Sequence, residues 1–290
     1  MSASARPSNT IAFQGAPGAY SDLACRTVFP RMATLPCNDF AETFATVREG
    51  RARLAMIPVE NSVAGRVADI YHLLPESRLN IIAEHFQRVE HHLLAPRGAT
   101  LKSVKTVMSH VHAFGQCRKL IRKLGLRPVV AADTAGAAAE VARRGDRSVA
   151  AIASSLSGRL YKLKSLRANI EDAEHNTTRF LIMAREPIDP GPRQPVITTF
   201  VFRVRNVPAA LYKAMGGFAS NGVNMTKLES YMVGGDFFAT QFYADIEGHP
   251  GDRLVRLALE ELKFFSTKLK ILGVYPSNPF RRRRARGPKG

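Results

Sequence analysis

A chain of 290 residues with 45% hydrophobic content can bury a sizeable core and is expected to form more than one domain. Its 42 basic and 24 acidic residues give a formal net charge of +18, and six of the positive charges (Arg281, Arg282, Arg283, Arg284, Arg286, Lys289) lie in the last ten residues. No apolar run approaches the roughly 18 residues that span a membrane, and three scattered cysteines without a CxxC pair exclude a disulfide framework or a zinc site.

Residues 1–9 read as a disordered tail, too polar and short for a secretory signal, which makes the expected location cytoplasmic. Ile11-Ala12-Phe13 then reads as a strand entering the turn Gln14-Gly15-Ala16-Pro17-Gly18, with a helix start near Tyr20-Ser21. Two glycines permit close backbone approach, and a helix start offers free N–H donors. Asp39 with Glu42 resembles a capping box before Phe40, Phe44 and Val47 at helical spacing, with Gly50 as the stop. Leu54 to Val59 reads as a buried strand ending in Glu60-Asn61-Ser62, where a ligand would sit beyond the carboxyl end of an open α/β sheet. Helix capping is the competing reading of that triplet.

Ile81 to Phe86, Val89 to Leu94 and Val104 to Met108 read as further strands. Ser109-His110 follows the last of these, before a helix with Ala113, Cys117, Leu120, Ile121 and Leu124 on one face and Gly125 at its end. His110 reads either as a site residue or as a capping or packing histidine. The pattern recurs with Pro128 to Ala132, the cap Asp133-Thr134 and a helix over 135–142, then with Val149 to Ala153, the cap Ser154-Ser155 and a helix through Tyr161. Four strand, cap and helix units predict a largely parallel α/β architecture whose polar strand ends converge on one cleft.

Asn176-Thr177-Thr178-Arg179-Phe180 runs from a polar loop into the apolar strand Phe180 to Met183. An arginine at the edge of a core requires an anion, either a ligand or one of the acidic residues just before it, Glu171, Asp172 or Glu174. Residues 187–196, rich in proline, read as a linker after a domain over 10–186. Beyond it come a strand over 197–204, a helix over 208–218, a strand over 223–232, a Gly234-Gly235-Asp236 turn, a strand over 237–246, a helix over 252–265 and a strand over 269–275. This is the βαββαβ order of a ferredoxin-like module over 197–276. The basic stretch over 277–290 reads as a solvated, disordered tail. With only Phe280 among its aromatics, it is not expected to bind nucleic acid.

Several motifs in order resemble prephenate dehydratase followed by a small-molecule-binding ACT domain: Gly15-Ala16-Pro17-Gly18-Ala19-Tyr20-Ser21, Ile57-Pro58-Val59-Glu60-Asn61-Ser62, Ser109-His110 with Gln116-Cys117, Thr134-Ala135, and Asn176-Thr177-Thr178-Arg179-Phe180. The resemblance implies a two-lobed α/β catalytic domain like a type II periplasmic-binding protein, plus the ferredoxin-like ACT domain, assembled as a homodimer or homotetramer. It implies conversion of prephenate, a dianion, to phenylpyruvate, water and carbon dioxide in phenylalanine biosynthesis, without metal or organic cofactor. Thr178 is then the donor to the departing hydroxyl and Arg179 the anchoring cation, while Glu60 becomes a stronger acid than Thr178 if burial raises its pKa. Ser21, Asn61, Ser62, Asn176, Thr177, Phe180 and His110 would contact substrate.

In the regulatory part, the family's Gly-Ala-Leu and Glu-Ser-Arg-Pro patterns would place an L-phenylalanine effector near Ala209, Ala210, Leu211, Asn224, Glu229 and Ser230. Here Ala209 replaces the glycine, and Tyr231-Met232 replaces Arg-Pro, which weakens the expectation of feedback inhibition. Arogenate dehydratase and a non-catalytic amino-acid sensor are the alternative readings.

Overall fold

The computed structural model describes residues 7–233 and 241–285. After a 3-10 turn at Pro7–Asn9, the elements in chain order are β1 (Thr10–Gln14), α1 (Tyr20–Val28), β2 (Ala33–Cys37), α2 (Phe40–Arg48), β3 (Leu54–Asn61), β4 (Gly65–Arg66), α3 (Ile70–Glu76) and β5 (Asn80–Arg88). There follow β6 (His92–Ala95), β7 (Thr106–Ser109), α4 (Val111–Gln116), α5 (Arg118–Lys123), β8 (Arg127–Val130), α6 (Thr134–Arg144), β9 (Val149–Ala153), α7 (Ser155–Leu160), β10 (Lys164–Arg167) and β11 (Thr177–Ala184). The last part comprises β12 (Val196–Val204), α8 (Ala210–Ser220), β13 (Met225–Tyr231), β14 (Gln241–Glu247), α9 (Arg253–Phe265), β15 (Ser266–Pro276) and α10 (Pro279–Ala285). Two compact units result, residues 1–67 with 85–180, and residues 68–84 with 181–290. No described helix is long and apolar enough to cross a membrane.

The first unit holds two lobes built on mixed sheets. In one, the strand order is β2-β1-β3-β11-β5, with the short β4 folded back on β3. In the other it is β10-β6-β9-β7-β8. The helix-connected strands pair in parallel, β1 with β2 and β7 with β8, whereas β6 runs antiparallel to both β9 and β10. The expectation of largely parallel lobes is corrected by β6 and β10. The second sheet shows period-2 burial on both faces: Ala150 and Ile152 of β9 point into one apolar cluster, and Val149, Ala151 and Ala153 into the other. A strand covered on both sides has to be apolar throughout, as Val-Ala-Ala-Ile-Ala is.

Local chemistry sets the helix ends. Asp39, Asp133 and Ser154 accept from the backbone N–H of Glu42, Gly136 and Ser157, and Gly145 closes α6 in the left-handed region at φ +64°. The single helix expected up to Gly125 is broken at Cys117 into α4 and α5. Asp172 supplies the reason. Its N–H takes the Gln116 carbonyl at 2.7 Å, so that carbonyl does not continue an α-helical ladder, and its carboxylate accepts from Lys119 N–H at 3.2 Å as a cap for α5.

In the second unit, β12, β13, β14 and β15 form an antiparallel sheet in the order β13-β14-β12-β15, the ferredoxin-like arrangement. Phe200, Phe202, Phe242, Ala244 and Ile246 on one face pack with Ala214, Phe218, Val255, Ala258 and Leu262 from α8 and α9. The turn expected at Gly234-Gly235-Asp236 and the start of the expected strand at 237–240 lie outside the described residues. Within the expected solvated tail, one described residue is tied to the fold. Arg281 on α10 makes a bidentate pair with Glu84, Nε to Oε1 at 2.6 Å and Nη2 to Oε2 at 2.8 Å, and approaches Asp245 Oδ2 at 3.7 Å. Both carboxylates are buried. A cation there offsets the desolvation of two acids, which gives Arg281 a structural task.

Candidate active site

The turn between β1 and α1 brings the two lobes of the first unit together. Gly18, at φ +93°, lies so close to α7 that an added Cβ would stand 2.7 Å from Ser157 Oγ. Its carbonyl accepts from Ser154 Oγ at 2.6 Å and Ser157 Oγ at 2.9 Å. Glycine is required here by backbone conformation and by the neighbouring helix together. Ser21, one turn further on, is buried in α1.

At the carboxyl end of β3, Asn61 uses all four of its hydrogen-bonding positions. Its Oδ1 accepts from the backbone N–H of Val63 (2.9 Å) and Ala64 (2.8 Å), and its Nδ2 donates to Asn176 Oδ1 (2.7 Å) and Thr178 Oγ1 (3.0 Å). Asn176 Nδ2 donates to Gln116 Oε1 at 2.9 Å, and the same oxygen lies 2.8 Å from His91 Nε2. His91 Nδ1 lies 2.9 Å from the Tyr20 hydroxyl, whose ring meets the imidazole edge-on. A continuous hydrogen-bonded chain therefore runs from Tyr20 on α1 through His91, Gln116, Asn176 and Asn61 to Thr178. Burial holds the His91 pKa below its usual value and pushes the Tyr20 pKa well up, so both side chains are held neutral.

Beside this chain, Arg179 Nη1 binds Glu60 Oε1 at 3.1 Å, with the arginine 3% and the glutamate 34% exposed. Arg179 thus pairs across strands, and none of Glu171, Asp172 and Glu174 is its partner in this ion pair. Glu60 accepts this hydrogen bond through Oε1. Ser62 ties the polar ends together, its Oγ donating to the His175 carbonyl at 2.7 Å and accepting from Thr177 N–H at 3.0 Å.

Of the residues expected at the site, Glu60, Asn61, Ser62, Asn176, Thr177, Thr178 and Arg179 therefore stand together. Phe180 is a core side chain, 1% exposed. His110 is the N-cap of α4, its Nδ1 accepting from His112 N–H at 3.3 Å and its ring stacked edge-on against His112. Tyr20, His91 and Gln116 join this chain although none of them is among the residues expected at the site. Tyr20 and Gln116 lay inside quoted motifs, but Gln116 was absorbed into a helix that the structure interrupts one residue later.

In the second unit, Ala209 precedes α8 in the left-handed region at φ +61°, a conformation that favours glycine. Ala210 and Leu211 pack against the core, and Asn224 Nδ2 donates to Glu247. Glu229 and Ser230 pair with Tyr243 and Phe242 across β14, with Glu229 ion-paired to Lys227. Tyr231 is buried and accepts from Gln241 Nε2, whose oxygen accepts from Arg203.

Known proteins are similar to this chain along nearly its whole length. A protein from Komagataeibacter europaeus described as a bifunctional N-acyl-homoserine lactone acylase/prephenate dehydratase is 56% identical over 94% of this chain and 98% of its own. Arogenate dehydratase 2 of Petunia hybrida is 37% identical over 92% of this chain and 72% of its own. The crystal structure of a prephenate dehydratase from Arthrobacter aurescens in complex with L-Phe superposes with a TM-score of 0.85 at 29% identity, covering 92% of this chain and 90% of that one. The family model for prephenate dehydratase matches residues 11–188, which include the Gly18 turn, the Asn61 hub and Thr178. By sequence and fold, the protein belongs to the prephenate dehydratase family.

Proposed function

We propose that the protein is a lyase that converts prephenate to phenylpyruvate, carbon dioxide and water, and that the Asn61 to Thr178 hydrogen bond carries the reading. Because Thr178 Oγ1 accepts from Asn61, its proton is the part of the hydroxyl left to donate outward. A donor whose oxygen already accepts a bond is polarised toward stronger donation. In the reaction, the bond from the ring to its carboxylate breaks and those electrons enter the ring. The ring then expels the hydroxyl, which leaves as water after taking up one proton. Thr178 stabilises the developing charge on that oxygen, an oxyanion-type contribution. Arg179, oriented by Glu60, anchors the retained side-chain carboxylate, and Asn61, Ser62, Asn176 and Thr177 shape the site. Ser21 on α1 and His110 at the start of α4 are further proposed substrate contacts, whereas Phe180 packs in the core. The positive field of the chain draws in a dianion.

The assignment extends to a catalytic domain over 10–186, a linker over 187–196 and an ACT regulatory domain over 197–276, in a cytoplasmic homodimer or homotetramer. The βαββαβ order supports the regulatory module, and L-phenylalanine is its proposed effector, since the Arthrobacter aurescens relative was crystallised with L-Phe. The test is product formation by wild type and Thr178→Ala, with prephenate and arogenate supplied separately. Phenylpyruvate from prephenate and a fall of about 100-fold in kcat for a folded Thr178→Ala variant are expected. Faster turnover of arogenate would overturn the substrate, and a fully active variant would remove Thr178 from the mechanism. The 56% identical relative supports a second reading, and release of fatty acid from an N-acyl-homoserine lactone in the same assay series would favour it.

A further inference from the structure

The direction of the polar chain can be derived from donors that have no choice. An amide oxygen and nitrogen are nearly the same size, so the way a buried Asn or Gln faces is decided by its partners. The backbone N–H groups of Val63 and Ala64 can only donate, so the Asn61 atom facing both is oxygen. Nitrogen must then face Asn176 and Thr178. Asn176 in turn offers oxygen to Asn61 and nitrogen to Gln116, and Gln116 offers oxygen to His91. His91 must therefore carry hydrogen on Nε2. In the neutral ring Nδ1 is then an acceptor, and the donor within its reach is the Tyr20 hydroxyl 2.9 Å away, which it shares with the Glu90 carbonyl at 2.8 Å.

We propose that His91 is a positioning residue for Thr178: its Nε2–H, with Tyr20 bound at the other ring nitrogen, satisfies the far end of the direction that the Val63 and Ala64 N–H groups impose on the Asn61, Asn176 and Gln116 amides, and so steadies the arrangement in which Thr178 is an acceptor toward the protein and a donor toward the site. The role of Thr178 rests on the reaction assigned above, whereas the direction of the chain does not. Tyr20 has one proton and two acceptors, Nδ1 and the Glu90 carbonyl at 2.8 Å. If His91 gains a proton, Nδ1–H donates to the Tyr20 oxygen, Tyr20 donates to Glu90, and Nε2–H stays in place. The chain thus keeps its direction in either charge state of the imidazole, and the other neutral tautomer, which would set the Nε2 lone pair against the Gln116 oxygen, opposes it.

Reversal can be imposed from the far end. In Asn61→Asp a carboxylate presents oxygen to Asn176. Asn176 must then turn its nitrogen toward residue 61, Gln116 must turn its nitrogen toward His91, and the imidazole must move its proton to Nδ1. Asn176→Asp imposes the same reversal one link closer. Nitrogen-15 NMR of histidine-labelled protein at about pH 8, where the ring is neutral, is expected to show Nε2–H in wild type and Nδ1–H in a folded variant of either kind. Nδ1–H in wild type, or one unchanged tautomer throughout, would overturn the proposal. In kinetics, His91→Leu is expected to lower kcat about tenfold with KM changed less than about twofold, the scale of one lost hydrogen bond acting in the transition state. His91→Gln, which retains a donor, is expected to recover most of that loss. Equal losses in both variants, or a loss in KM alone, would also overturn it. A wild type that makes no phenylpyruvate refutes the assigned reaction instead, while the tautomer measurement still decides the direction of the chain.

Discussion

Replacing Arg281 by alanine should destabilise the second unit strongly, although the residue lies in a run that reads as a charged tail. The side chains of Glu84 and Asp245 are fully buried, and Arg281 is 16% exposed. Removing one partner of a buried pair destabilises by about 3–5 kcal/mol, because the remaining charge is left in a poor solvent. Two local bonds reduce the effect: Asn278 N–H still reaches Glu84 Oε1 at 3.2 Å, and Thr199 Oγ1 still donates to Asp245 Oδ1 at 2.6 Å. The low end, about 3 kcal/mol, is therefore expected, which lowers Tm by roughly 6–12 °C for a unit of this size. Urea unfolding followed by circular dichroism measures it, with Arg282→Ala as a control for an exposed neighbour that should change stability by less than about 0.5 kcal/mol. Arg281→Lys should recover only part of the loss, since an ammonium cannot reproduce the bidentate geometry. An Arg281→Ala protein within about 0.5 kcal/mol of wild type would refute the reasoning.

Ala209→Gly should stabilise the protein by about 0.5–1 kcal/mol in the same experiment, because glycine relieves the left-handed backbone at φ +61° by more than it adds to unfolded-state entropy; a loss of stability would contradict that account. His85, His91, His92 and His110 all have pKa values lowered by burial. The unfolded chain takes up protons as pH falls through about 6.5 while the folded chain resists them, so stability should fall as pH drops below about 6.5 and level off below the folded-state values. A Tm that stays flat between about pH 7.5 and 5.5 would show that these rings are not held neutral by the fold.

Much of the local structure was legible because it depends on near neighbours. Asp39, Asp133 and Ser154 cap the helices they precede, and the βαββαβ order follows from alternating and helical periods within a few residues of each position. The departures share a different cause. The break at Cys117 comes from Asp172, far along the chain, which takes the Gln116 carbonyl. Strand β2 contains Pro36, which hides it from a propensity reading, and it pairs with β1 through Phe13 opposite that proline. Strand β10, Lys164–Arg167, is an edge strand whose charged residues need little burial.

For the site, the amino-acid sequence by itself determined which residue types are present and that Asn61, Asn176 and Thr178 lie at strand ends, since hydrophobic period and polar punctuation are local properties. It also carried the ordered motifs that made the family recognisable. The tertiary structure alone decided who meets whom. Arg179 meets Glu60 from a different strand, Asn61 reaches Thr178 on a neighbouring strand, and His91 closes a chain to Tyr20. The physical reason is that a buried polar group takes whichever partner the fold brings within about 3 Å, and that distance is set by strand order and lobe packing, which no local pattern encodes.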